Sequence, residues 1–244
     1  PRGFLAAHSV RPKPELLLAG WGKRPLEVRA TSIKPHTCCR YNQAAIDALL
    51  EIRRREHLDP SDVAHVRVGL PSTAIGIVCE PTTQKRRPRS VVDAQFSLPF
   101  GAAVALLFGR AGLPEYDPAV IGDPAVIALM DRVEGVAEPS LDDAYPERWG
   151  AWATVTTMDG RELTARVGDS KGDPGNPLTL NELRAKFEET AGPAYGPARC
   201  EEITATVARL PEPGTLKELL ELLHPDGGEV SPSAFAASPA VPPT

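Results

Sequence analysis

The chain has 244 residues, of which 42% are hydrophobic and 24% charged, and carries a net charge of −5. That length accommodates one large domain or two modest ones, and the acidic balance argues against a broad attraction to nucleic acid or to an anionic membrane, so any anion site has to be local. The longest apolar run, "GAAVALLFG", falls short of the roughly 20 residues that span a bilayer, and four cysteines without regular spacing read as thiols of a reducing, cytoplasmic interior rather than as a disulfide framework.

In chain order, "PELLLAGWG" sits between proline-marked turns and reads as a segment that docks onto something else. Alternating Leu26, Val28 and Ala30 predict a strand stopped by Pro35, after which Thr37 is available as a helix cap. From Asn42 to His57, Ala45, Ile46, Leu49 and Leu50 follow helical spacing on one side, with Glu51, Arg54 and Arg55 on the rest. His65 to Pro71 alternates as a strand does. After the loop "EPTTQKRRPR", Ser90 with Asp93 opens a helix with an irregular first turn at Pro99, and its apolar run from Phe100 to Phe108 predicts burial. Asp123 caps a helix over 124–133 that has proline at its first position. Asp159-Gly160, flanked by two strand-like runs, predicts a type I′ hairpin. Thr179 and Glu182 form a capping box for a helix that buries Leu183 and Phe187 and stops at Gly192. A last helix covers Leu216 to Leu223, and the small, proline-rich tail beyond it is expected to be disordered. No internal repeat or heptad seam is present.

The stretch with most chemistry is "SIKPHTCCRYNQ", Ser32 to Gln43. Adjacent Cys38 and Cys39 lack the two-residue gap of a zinc knuckle, and a disulfide between neighbours is strained, so two small buried side chains at a helix start is the plainer reading. An anion site has a better physical case. Where a strand runs into a helix the first N–H groups lack partners and the dipole is positive, and Lys34, His36 and Arg40 add charge or donors that suit a di- or tricarboxylic acid. The alternative is that Lys34 and Arg40 are solvated charges flanking a cap, and spacing alone does not separate the two. His57, His65 and the basic run Lys85 to Arg89 are weaker candidates, each more simply a partnered or solvated surface group. No nucleophile elbow, glycine-rich phosphate loop or zinc-protease motif is present.

"SIKPHTCCRYNQAAIDALLEIR", "VVDAQFSLPFGAAVALLFGR" and "DGRELTARVGDSKGDPGNPLTLNELRAKFEETA", in that order and at suitable separations, resemble the C-terminal half of the MmgE/PrpD family, which includes 2-methylcitrate dehydratases, cis-aconitate decarboxylases and iminodisuccinate epimerases. The resemblance spans about Gly3 to Leu223. It implies an α+β chain with four parts: a connecting segment over 1–30, an α/β lid with a mixed or antiparallel sheet over 31–169, helices over 170–224 returning to an all-helical domain, and the tail over 225–244. It also implies a cytoplasmic, cofactor- and metal-independent lyase, homodimeric when complete, that works on a small polycarboxylate between lid and helical domain, with propionate catabolism as one setting. By position Lys34 matches the family's pocket lysine, a candidate for holding a substrate carboxylate or for proton transfer. His36, Cys38, Cys39 and Arg40 would face the substrate, and Phe100 would line the pocket. Cys39 stands where members of described activity often have histidine, Phe100 where they have tyrosine, and Gln95 where lysine is usual. The family's catalytic histidines and an acidic residue belong to the helical half, so the lid supplies at most one side of an acid–base pair. The rival readings are a non-catalytic binding or assembly module and a truncated remnant. Lys171, in "KGDPGNP", is expected to be structural, its neighbours mainly positioning the next helix.

Overall fold

The computed structural model describes residues 3–23 and 25–224, so the tail expected to be disordered lies outside the described residues. Leu26 to Ala30 do not form the expected strand: Glu27–Ala30 is a 3-10 turn, with Leu26 and Val28 exposed and, among the described residues, no strand alongside to take their backbone groups. Thr37 does not cap a helix. Its N–H donates to the Ala111 carbonyl, and the chain enters the first long helix through a 3-10 turn at Arg40–Asn42.

That helix, α1 (Gln43–Glu56), buries Ala45, Ile46, Ala48, Leu49 and Ile52 and ends at His57 in the left-handed region, φ 49°. β1 (Val63–Leu70) follows, its Val66, Val68 and Leu70 turned into the core. The single helix expected from Ser90 is two, α2 (Val91–Gln95) and α3 (Leu98–Phe108), because the chain carries a second cap. Ser97 Oγ accepts from the Phe100 N–H at 3.1 Å and itself donates to the Lys85 carbonyl, while Pro99 takes a first-turn position where its missing N–H costs nothing. Residues 98–106 of α3 are all buried, as the unbroken apolar run predicts.

α4 (Pro124–Met130) has its expected cap, Asp123 Oδ1 accepting from the Ala125 N–H at 2.7 Å, but stops before Val133. Val133 instead opens β2 (Val133–Ala137), a strand that pairs parallel to β1 from Val66↔Val133 to Leu70↔Ala137. β3 (Ala151–Thr157) and β4 (Glu162–Val167) form the predicted hairpin. The turn is not type I′, which needs positive φ at both central residues: Gly160 alone is left-handed here, φ 86°, and the Gly160 N–H donates to the Thr157 carbonyl at 2.9 Å. This is a type I turn closed by a glycine bulge.

The sheet order is β2-β1-β3-β4, mixed in direction, and with the helices it makes the chain α+β as expected. α1 lies across β3 and β4, and α3 packs between α1 and α4, so one sheet face and these helices form the core. The other face is open: Arg67 stacks over Trp152 at 5.9 Å, and Thr154 and Thr164 pair their hydroxyls at 3.0 Å.

Beyond the sheet, α5 (Leu180–Ala208) starts at the predicted capping box but does not stop at Gly192. It runs to Gly196, breaks there at φ 74° beside Pro197, and resumes, with burial confined to Cys200, Ile203 and Thr206; Leu183 stays 39% exposed rather than forming a buried stripe. α6 (Thr215–Leu223) packs back on α5. Among the described residues no helix is long and apolar enough to cross a membrane.

Candidate functional site

The segment from Ser32 to Gln43 is a loop and one 3-10 turn pinned from several sides. The N–H groups of Thr37, Cys38 and Cys39 donate to the carbonyls of Ala111, His36 and Gln95 at 2.9, 2.9 and 2.8 Å. Amides that a strand-to-helix corner would leave open are therefore already occupied here. Gln43, fully buried, organises the loop: its Oε1 accepts from the His36 N–H at 3.1 Å, and its Nε2 donates to the carbonyls of His36 and Cys38 at 3.0 and 3.2 Å. The Cys38 carbonyl also accepts from Lys34 Nζ at 3.0 Å, which curls the lysine back over its own loop.

The cations of this segment differ in how their charge is met. Arg40 grips Asp173 with one terminal nitrogen 2.5 and 2.6 Å from the two carboxylate oxygens, and its guanidinium lies 5.1 Å from the centre of the Trp149 ring. His36 Nε2 lies 2.8 Å from Asp47 Oδ1, and the other oxygen of Asp47 accepts from the Lys171 N–H at 2.7 Å. Lys34 is exposed and, among the described residues, has a carbonyl rather than a carboxylate as its partner.

The expected site residues are not gathered into one hollow. Arg40 lines a recess of about 390 Å³ with Ser32, Trp149, Asp169 and Asp173, whose lining includes neither Lys34 nor Phe100. Phe100 is fully buried, its ring centre 5.1 Å from that of Tyr116, and belongs to the core rather than to a surface pocket. Cys38 is buried too, and loss of solvent pushes its thiol up to about 12, so at neutral pH it is a protonated, weakly polar core group. Burial also holds the neighbouring Tyr116 hydroxyl well above its ordinary range. Cys39 is half-buried, and both thiols are free.

Of the weaker candidates, His57 is the left-handed helix end and His65 is an exposed strand residue 3.6 Å from Glu134. The basic run is not simply solvated: Arg86 donates to the Val133 carbonyl at 2.8 Å and Arg87 forks onto Asp131, fastening the loop to the start of β2. Four residues outside the expected set matter to the geometry: Gln43, Asp47, Gly172 and Asp173. An amide and a carboxylate inside the apolar stripe of α1 were the available signal for the first two. For Gly172 and Asp173 the block "KGDPGNP" marks a turn, but its contact with a segment about 130 residues earlier leaves no trace in local pattern.

Comparison with known proteins adds lineage to this geometry. A cis-aconitate decarboxylase-like protein of Aspergillus oryzae, oryM, is 26% identical over 219 residues, covering 86% of this chain and 44% of the relative. The chain thus spans less than half the length of that curated relative. The family model for the MmgE/PrpD C-terminal domain matches residues 36–211, from His36 in the pinned loop to just past the end of the long helix, and the chain belongs to the MmgE/PrpD family.

Proposed function

We propose that the chain is the C-terminal portion of a MmgE/PrpD-type lyase that acts on a small polycarboxylate, with Lys34 as the residue that holds a substrate carboxylate or moves a proton. The observation that carries this is the contrast within one loop: Arg40 and His36 are met by Asp173 and Asp47, whereas Lys34, among the described residues, meets the Cys38 carbonyl. An ammonium so placed can exchange one neutral acceptor for an incoming carboxylate at small cost, gaining a charge-assisted bond.

Dehydration of a 2-methylcitrate-like substrate and decarboxylation of a cis-aconitate-like one both start from a polyanion with an acidic or leaving group next to a carboxylate. Dehydration needs a base that takes the proton from carbon and an acid that protonates the departing hydroxyl, whereas decarboxylation releases carbon dioxide, leaves its electron pair on carbon and needs an acid that delivers a proton there. Lys34 supplies one such group. The rest come from an all-helical half, in the same polypeptide or a separate one, and the chain is inactive without it. In this reading residues 31–169 form the lid, 170–224 return to the helical part, and the complete enzyme is a homodimer. Cys39 takes the place of a family histidine on the substrate side, His36 and Arg40 hold the loop in shape, and Phe100 backs it from the core.

The test is to combine the chain with its helical half and screen tricarboxylates for loss of water or of carbon dioxide. Turnover should appear only in the combined protein, and Lys34→Ala should lower kcat/KM by about 10²- to 10⁴-fold, the usual range for a general acid or base. Unchanged kinetics in that variant would remove Lys34 from the mechanism. The absence of turnover on every tricarboxylate would favour an assembly module.

A further inference from the structure

The turn over 170–176 does more than lead into α5. Its Gly172 carbonyl accepts from the Ile33 N–H at 2.9 Å, one residue before Lys34. Gly172 is left-handed, φ 87°, and a Cβ placed there would stand 1.8 Å from the Ile33 oxygen and 3.4 Å from Pro35 Cδ. The backbone of Gly172 is thus seated against both neighbours of Lys34. Asp173, 7% exposed, takes Arg40 on the far side of the loop, and the Lys171 N–H takes the same Asp47 that holds His36. The turn thus holds the loop at Ile33 and Arg40 directly and at His36 through Asp47, beside the bonds of Thr37, Cys39 and Gln43 described above.

The turn is itself made rigid from within. The Gly172 N–H donates to the Asn176 carbonyl at 2.8 Å, the Asn176 N–H donates to the Asp173 carbonyl at 2.9 Å, and Asn176 Nδ2 donates to the Asp169 carbonyl at 3.1 Å. Lys171 Nζ reaches Glu182 at 3.1 Å, tying the turn to the capping box of α5.

We propose that the turn from Lys171 to Asn176 is a clasp that sets the position of the Lys34 ammonium, with Gly172, Asp173 and Asp47 as positioning residues that act through the Ile33–Arg40 loop. The physical need is plain: a lysine has four rotatable bonds, and an exposed one wanders unless the backbone beneath it is fixed. Here the turn's three attachments fix Ile33, His36 and Arg40, while Gln43 and the N–H groups of Thr37 and Cys39 hold the stretch that presents the Cys38 carbonyl to Nζ. The consequence for turnover rests on the role proposed for Lys34 above. The clasp itself does not.

The test measures the lysine directly. The 244-residue chain and its Gly172→Ala and Asp173→Asn variants are acetylated with limiting acetic anhydride, and the rate at Lys34 is compared with that at exposed Lys13 by peptide mass spectrometry. Freeing Nζ from its carbonyl should raise the Lys34 to Lys13 ratio by about two- to tenfold, the factor that one hydrogen bond represents. Amide-exchange protection of Val155, in the middle of the sheet, should stay as it is. An unchanged ratio in the folded variants overturns the clasp, and so does loss of Val155 protection in both, because the turn would then be holding the fold and not the lysine. In the combined enzyme, Asp173→Asn should lower kcat more than it raises KM, and Asp173→Glu should recover part of it. If the ratio rises while Lys34→Ala leaves turnover intact, the clasp stands and the role of Lys34 falls. If the ratio stays fixed while Lys34→Ala abolishes turnover, Lys34 keeps its role and the clasp falls.

Discussion

At the scale of single residues, the two adjacent cysteines show how burial separates like groups. Cys38 is 4% exposed and accepts from Gln43 Nε2 at 3.2 Å, while Cys39 is only half-buried. The thiol of Cys38 is raised to about 12 chiefly by desolvation, from an ordinary value near 9.0. A group that holds its proton more tightly when folded contributes its full stability below the unfolded value and loses it as pH rises toward the folded one. Stability should therefore fall between pH 9 and about 12 with a contribution of up to about 1.4 kcal/mol per pH unit from this thiol. Urea unfolding at several pH values checks this, and Cys38→Ala should flatten the slope; an equally steep decline in the variant would assign the loss to other groups. Cys79, also pushed up to about 12 by burial, adds to the same window.

Elements show where local signals suffice and where they mislead. The Asp159-Gly160 pair located the hairpin, yet the left-handed conformation falls on Gly160 alone, because the loop contains more residues than a type I′ turn and the glycine bulge absorbs the excess. Gly160→Ala should cost about 1 kcal/mol through its positive φ, and Gly160→Asn clearly less, since asparagine tolerates that region. A thermal-shift comparison separates the two, and equal costs would argue against a bulge. Ser97 acts in a related way: one buried helix was expected across Ser90 to Phe108, but a second side-chain cap, bonded also to Lys85, starts a new helix in its middle. Leu26 to Ala30 has the alternation of a strand but, among the described residues, no strand beside it, and pairing is a tertiary matter.

For the molecule as a whole, the uneven distribution of burial is the main feature. The sheet with α1, α3 and α4 encloses a closed core, whereas α6 leaves Leu216, Leu220 and Leu223 exposed at 59, 54 and 40%, a stripe at helical spacing, and Leu16, Leu17, Leu18 and Trp21 are likewise uncovered. If the helical half covers these faces, as the proposed function requires, Leu220→Glu should weaken its association by tenfold or more, about 1.4 kcal/mol. The same change should leave the melting of the isolated chain within about 0.5 kcal/mol, as for other surface substitutions. Sedimentation or titration calorimetry with the separate halves reads the first quantity. Undiminished association would place the contact elsewhere.

The sequence by itself determined the α+β class, α1, β1, the buried α3, the hairpin, the side-chain caps at Ser90, Asp123 and Thr179, and the family, because these depend on periodicity, capping side chains and ordered blocks that lie within short windows. It also singled out the Ser32–Gln43 loop. Only the tertiary structure decided that Val133 opens a parallel strand, that Phe100 is core, that Arg40 and His36 are met by Asp173 and Asp47, and that Lys34 is left with a carbonyl. The reason is that charge pairing and burial are set by residues distant in the chain, and Arg40 and Asp173, 133 positions apart, become neighbours only when the turn before α5 closes on the loop.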